Sequence, residues 1–227
     1  MVEQSVYFQV RLRFPDAASI AAWHREPLLG QRAHLEAVPG FDSIDMGDDD
    51  LLGSDITVTG QTTLDGALAY LHDVGFPVTG ERIVEWHTTE RDGEPAVWFA
   101  EAGPLPRTAD VAALLAYLDS GGDGEATAVT MDSGSETELL IGGRAVDYDA
   151  YRTYRLPLIY AGTAATRLGA TGSVSFLGDC GDEFVALFVD FDAGTVTIDE
   201  PDPQNLTEVG LTERFGVTVD VLFGGDD

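Results

Sequence analysis

The sequence predicts an α+β fold of two tandem ferredoxin-like units, each in βαββαβ order, with a C-terminal β-hairpin, helix and strand extending the second. Three observations predict it. Residues 5–14 alternate without a break, with Val6, Phe8, Val10, Leu12 and Phe14 on one face and Tyr7, Gln9, Arg11 and Arg13 on the other. Strand-period and helix-period segments then follow one another in the same order in both halves of the chain. Residues 184–189 are apolar on both faces, which suits a strand in the middle of a sheet.

Each element has a local reason. Pro15-Asp16 stops the first strand and caps a helix whose apolar face includes Ile20 and Trp23. Pro27 interrupts that helix, which resumes over 28–37. Pro39-Gly40 turns the chain into a strand at 41–46, and a second turn at 47–50 leads to the strand 56–59. Thr62, with Asp65 three residues on, opens a helix with the apolar stripe Leu64, Ala67, Leu68 and Leu71, closed by Gly75. The strands 82–88 and 96–101 flank Asp92-Gly93, a hairpin signal. Thr108 caps a helix that turns Val111, Leu114, Leu115 and Leu118 inward, and Gly121-Gly122 stops it. Residues 126–131 and 137–141 form a hairpin, 147–168 are helical with a kink at Pro157, and 173–177 are a strand. Two strands at 184–191 and 195–199, a helix near 205–214 and a strand at 217–223 complete the order. The two units are expected at residues 1–92 and 93–227, closely packed, because the hairpin joins them without a flexible linker.

The first unit resembles the dimeric α/β-barrel group in its helix, its Val38-Pro-Gly-Phe41 turn and its returning strand. Small oxygenases and haem proteins belong to that group. The resemblance implies a pocket between sheet and helices near Tyr7, Arg11, Trp23 or His72, and it assigns no catalytic residue.

The charge is the other dominant feature. The 227 residues carry a net charge of −28, and all 12 basic residues are arginine. The apolar fraction is 44%, and the apolar residues are periodic, so a folded core rather than disorder is expected. A lysine-free, uniformly acidic surface repels itself in dilute buffer, and concentrated counterions relieve that repulsion. The composition resembles that of proteins from salt-accumulating halophiles. It opposes direct binding to nucleic-acid phosphates or anionic membranes. The amino terminus lacks the basic and apolar regions of a signal peptide, and no apolar run is long enough to span a bilayer. A soluble cytoplasmic protein bathed in counterions is expected. Cys180 is the only cysteine, which excludes an internal disulfide and a cysteine-based zinc site.

Two groups of residues are candidate binding sites. Tyr7, Arg11 and Arg13 share the open face of the first strand, where two guanidinium groups could hold an anion beside a stacking ring; the competing reading is cross-strand pairing with Asp42 or Asp45. Tyr148, Tyr151, Arg152 and Arg155 fall on one side of the helix 147–168, a composition suited to a partner protein or a pocket; the competing reading is an amphipathic helix with tyrosines at the core edge. Asp48, Asp49, Asp50 and Asp55 cluster in one loop but lack the EF-hand spacing, so a solvated turn is expected. His24, His34, His72 and His87 form no His-x-x-x-His pair. There is no phosphate loop, dinucleotide fingerprint or catalytic triad pattern, so no cofactor is expected.

The leading functional expectation is a non-enzymatic protein that binds a protein partner, a second copy of itself or a small ligand. An enzyme of the dimeric α/β-barrel type is the second. An acidic mimic or immunity-type protein that neutralises a basic partner is the third, and it requires the acids to concentrate on one face.

Overall fold

The alternating amino-terminal segment forms β1 (Ser5–Arg13), and its even-numbered row is the centre of a core: Val6, Phe8, Val10 and Leu12 are each at most 3% exposed. The structure, a computed structural model, describes residues 5–41, 48–49, 51–76, 78–120, 126–146, 150–179, 184–192 and 194–216. The chain divides into two compact units, residues 1–45 with 108–227, and residues 46–107.

The larger unit is built on a six-stranded antiparallel sheet. It contains β1, β6 (Ala126–Ser135), β7 (Glu138–Val146), β8 (Thr171–Asp179), β9 (Phe184–Asp192) and β10 (Thr195–Asp199). Their order is β10-β9-β8-β1-β7-β6. Val10 lies opposite both Val174 and Ile141, and Phe8 lies opposite Phe176 and Gly143. Gly143 is a steric requirement, because a Cβ there would collide with the Phe8 ring. The doubly apolar β9 sits between β8 and β10, inside the sheet as its pattern requires.

One helix covers each face of this sheet. Earlier in the chain come α1 (Ala17–Trp23) and the short α2 (Arg32–Leu35), preceded by a 3-10 turn at Leu29–Gln31; these replace the single helix expected over 28–37. On the even face of β1 lies the helix Ala150–Arg167, and on the odd face the helix Glu208–Phe215. With α3 (Leu64–Asp73) and α4 (Val111–Asp119) between, these two are α5 and α6. In α5 every residue from Tyr154 to Thr166 is buried, because the sheet covers one side while α1, α2 and the 3-10 turn cover the other. The Trp23 indole Nε1 donates to the Ala161 carbonyl at 2.7 Å, tying α1 to α5. On the opposite face, Leu211 and Phe215 of α6 pack against Leu177 and Ala186.

The smaller unit is a four-stranded antiparallel sheet in the order β2-β3-β5-β4. Its strands are β2 (Asp48–Asp49), β3 (Gly53–Thr59), β4 (Ile83–Arg91) and β5 (Glu94–Glu101). Val58, Val97 and Phe99 meet Ala67 of α3, with Leu64, Leu68 and Leu71 beside them, the stripe read from the sequence. The caps fall slightly later than expected. Thr63 rather than Thr62 accepts from the Gly66 N–H, and Asp110 rather than Thr108 accepts from the Ala113 N–H.

The α+β class expected from the sequence is observed, with two sheets and helices packed on them. The strand pairings depart from the tandem βαββαβ arrangement. β1 pairs with β7 and β8, from the far end of the chain, and not with β3 or β4. Period-two alternation establishes which face of β1 is buried; the choice of neighbour depends on complementarity such as Phe8 over Gly143, at long sequence separation. The hairpin at Asp92-Gly93 forms, with φ of 55° and 82°, and both of its strands belong to the 46–107 unit. Most of the strand expected over 41–46, the strand over 217–223 and Cys180 lie outside the described residues. No helix among the described residues is long and apolar enough to cross a membrane.

Candidate functional site

The odd row of β1 faces α6, and each of its polar side chains has a definite role. Tyr7 stands edge-on to Phe215, with ring centres 5.5 Å apart. Burial pushes its phenol pKa up, opposed by the Gln9 hydrogen bond and the nearby Arg11 charge. Gln9 is buried, and its Nε2 donates to the Phe215 carbonyl at 3.1 Å and to the Tyr7 hydroxyl at 3.4 Å. Arg11 Nη2 donates to the same carbonyl at 2.7 Å. Two donors therefore hold the last carbonyl of α6, where a helix leaves its C=O groups without internal partners and its dipole favours a cation.

Arg13 lies two residues further along the same face, about 7 Å on by strand rise. It is ion-paired with Glu138, its register partner on β7. Cross-strand pairing was one reading of this arginine, and Glu138 supplies it; Asp42 and Asp45 lie outside the described residues. Both groups are well exposed, so this pair contributes little to stability.

Arg11 and Arg13 also line a cleft of about 570 Å³ at the end of the three central strands. Glu138, Leu140, Thr171 and Gly172 are also in its wall. Gly172 lets β8 approach β1 there, since a Cβ would strike the Arg11 carbonyl. Chemically the cleft offers two guanidinium forks, a hydroxyl and an apolar side. That set suits binding of an anion.

Helix α5, which carries part of the second candidate group, lies on the other face of the sheet. Tyr148 lies outside the described residues, while Tyr151 and Arg152 occupy the first turn of α5. Arg155, one turn further, is only 3% exposed. Helix α5 packs on the even face of β1, with Tyr154 5.5 Å from Phe8, while the Tyr7–Arg13 row is on the odd face.

One cluster was not foreseen. Arg214 of α6 forms a two-pronged contact with Asp190 at 2.6 and 3.2 Å, donates to the Ser175 hydroxyl at 3.1 Å and lies 4.7 Å above the Phe188 ring. It fastens α6 to β8 and β9. Its partners are 24 and 39 positions away, so no local pattern announces them. Among the described residues no three His, Cys, Asp or Glu side chains are grouped to hold a metal ion. Asp55, expected in an acidic loop, lies in β3 and is paired with Arg107 at 3.0 Å, and the His87 ring is stacked on Trp98 at 4.7 Å.

Fold and cleft together define an α+β protein with an arginine-lined cleft on an acidic chain. No protein-family model, curated protein or solved structure matches the chain.

Proposed function

We propose that this chain is a non-enzymatic binding protein of a salt-rich cytoplasm, and that its ligand is a small anion with an apolar body, most simply a short-chain carboxylate. The observation that carries the reading is the cleft of about 570 Å³ with two arginines of one strand in its wall, in a chain of net charge −28. A cleft of that volume is within the usual range for small-molecule sites. The cytoplasmic, salt-adapted part of the reading is supported by the lysine-free composition and a sequence pI of about 4.1.

At molar salt the screening length is about 3 Å, so attraction at a distance contributes almost nothing. Chloride also competes for any bare cation. Selectivity must come from the fork geometry of guanidinium against carboxylate and from apolar contact with Leu140. The Glu138 pair lowers the cost of leaving Arg13 empty and sets a threshold that a ligand carboxylate must exceed.

The test is calorimetric titration of the full chain in about 3 M KCl with short aliphatic carboxylates and with alcohols of the same carbon skeleton. Carboxylates saturate and alcohols do not. Arg13→Gln weakens binding about tenfold, the effect of one charged hydrogen-bonding group. Arg13 is the informative position because Arg11 also holds α6. Absence of saturable binding across the carboxylates, or equal binding by Arg13→Gln, overturns the proposal.

A further inference from the structure

The smaller unit carries a second surface, unrelated to the cleft. Strand β4 is at the edge of its sheet, and all residues from Val84 to Arg91 are exposed, including Trp86 at 48% and Val84 at 57%. Natural edge strands are usually short or blunted by lysine, proline or a bulge. This one is nine residues long, has no lysine or proline, and its irregularity is confined to the Ile83/Glu85 end.

The direction of its open hydrogen-bonding groups follows from two bonds in the neighbouring strand. The Gly60 N–H donates to the Pro95 carbonyl, so Pro95 faces β3, and its register partner Glu90 faces away from β5. The Ala102 N–H donates toward Arg82, which places the even positions of β5 on the β4 side. With the register Glu85↔Ala100, His87↔Trp98, Thr89↔Ala96 and Arg91↔Glu94, the odd residues of β4 bond to β5. Trp86, Thr88 and Glu90 therefore present their main-chain groups outward.

We propose that a second copy of this chain pairs with β4 antiparallel about a two-fold axis through Thr88. Only outward-facing residues can form the hydrogen-bonded pairs, and among the registers this allows an axis at Thr88 overlaps the whole regular stretch from Glu85 to Arg91, while axes at His87 or Thr89 overlap less of it. The axis at Thr88 sets Trp86 opposite Glu90, Thr88 opposite itself and His87 opposite Thr89, and it sets Glu85 opposite Arg91 twice. The axis at His87 pairs Glu85 with Thr89 and Ile83 with Arg91, with no opposite charges matched. Among the described residues no ion pair involves Glu85 or Arg91. In a chain with so few cations, an edge that is complementary to itself selects its own copy. The Glu85–Arg91 pairs fall at non-hydrogen-bonded sites, where side chains are closest. About six main-chain hydrogen bonds join the strands into one eight-stranded sheet. Because each copy carries −28, association requires salt.

The test is sedimentation of the full chain at about 3 M KCl, with circular dichroism to verify folding. The wild type is a dimer. Thr88→Pro, which removes an outward donor and no bond to β5, is monomeric. Arg91→Glu sets like charges opposite each other twice and weakens the dimer about tenfold, and the Glu85→Arg/Arg91→Glu exchange restores it. A monomeric wild type at about 100 µM overturns the proposal, and so does a dimer insensitive to Thr88→Pro or to Arg91→Glu. A dimer that the exchange variant fails to restore overturns the register.

Discussion

Tyr7 is a residue whose burial has a measurable consequence. Its folded pKa is raised above the ordinary 10.0, chiefly by desolvation of the phenolate. A phenol that stays protonated longer in the folded chain binds more protons there than in the unfolded chain over that window. Stability is therefore unaffected below pH 10 and falls as pH rises from 10.0 toward the folded pKa. Thermal unfolding between pH 9 and pH 11 shows this loss, and in Tyr7→Phe the Tyr7 share of it disappears. An alkaline loss identical in both proteins contradicts the assignment. The same row explains why an arginine pair can be partly structural and partly available. Arg11 spends one donor on the Phe215 carbonyl, while a guanidinium has five.

At the scale of elements, local signals and long-range ones separate cleanly. The alternation of β1, the stripe of α3 and the Asp92-Gly93 turn were legible because their causes lie within a few residues. The partners of β1 were not, because Phe8 over Gly143 joins positions far apart in the chain. Helix α5 is a different case. The sequence offered its tyrosines and arginines as a partner or pocket face, and the helix is buried from Tyr154 to Thr166 by elements far away in the chain. Two of its buried hydroxyls are satisfied inside: Thr163 Oγ1 donates to the Ile159 carbonyl at 2.8 Å, and Thr166 Oγ1 accepts from the Gly194 N–H at 3.0 Å. Of the candidate site, the arginine row was visible and its cleft was not, since the cleft also needs β7 and β8. Gly143→Ala tests the β1–β7 contact. It places a methyl group in the Phe8 ring and costs about 1–3 kcal/mol in denaturant unfolding. Adding Phe8→Leu recovers part of that loss, and simple additivity of the two losses contradicts the contact.

For the whole molecule the decisive quantity is charge. A net −28 on 227 residues sets a self-repulsion that the ion pairs among the described residues do little to offset, since these are at least partly exposed and individually worth little. On the proposed reading this charge is an adaptation to the solvent rather than to a basic partner. Circular dichroism follows unfolding in KCl from about 0.1 M to about 3 M. The expected result is a cooperative fold that gains stability steeply with KCl and is largely lost in dilute buffer. A chain equally stable at both ends contradicts it, and the acidity then belongs to a basic partner.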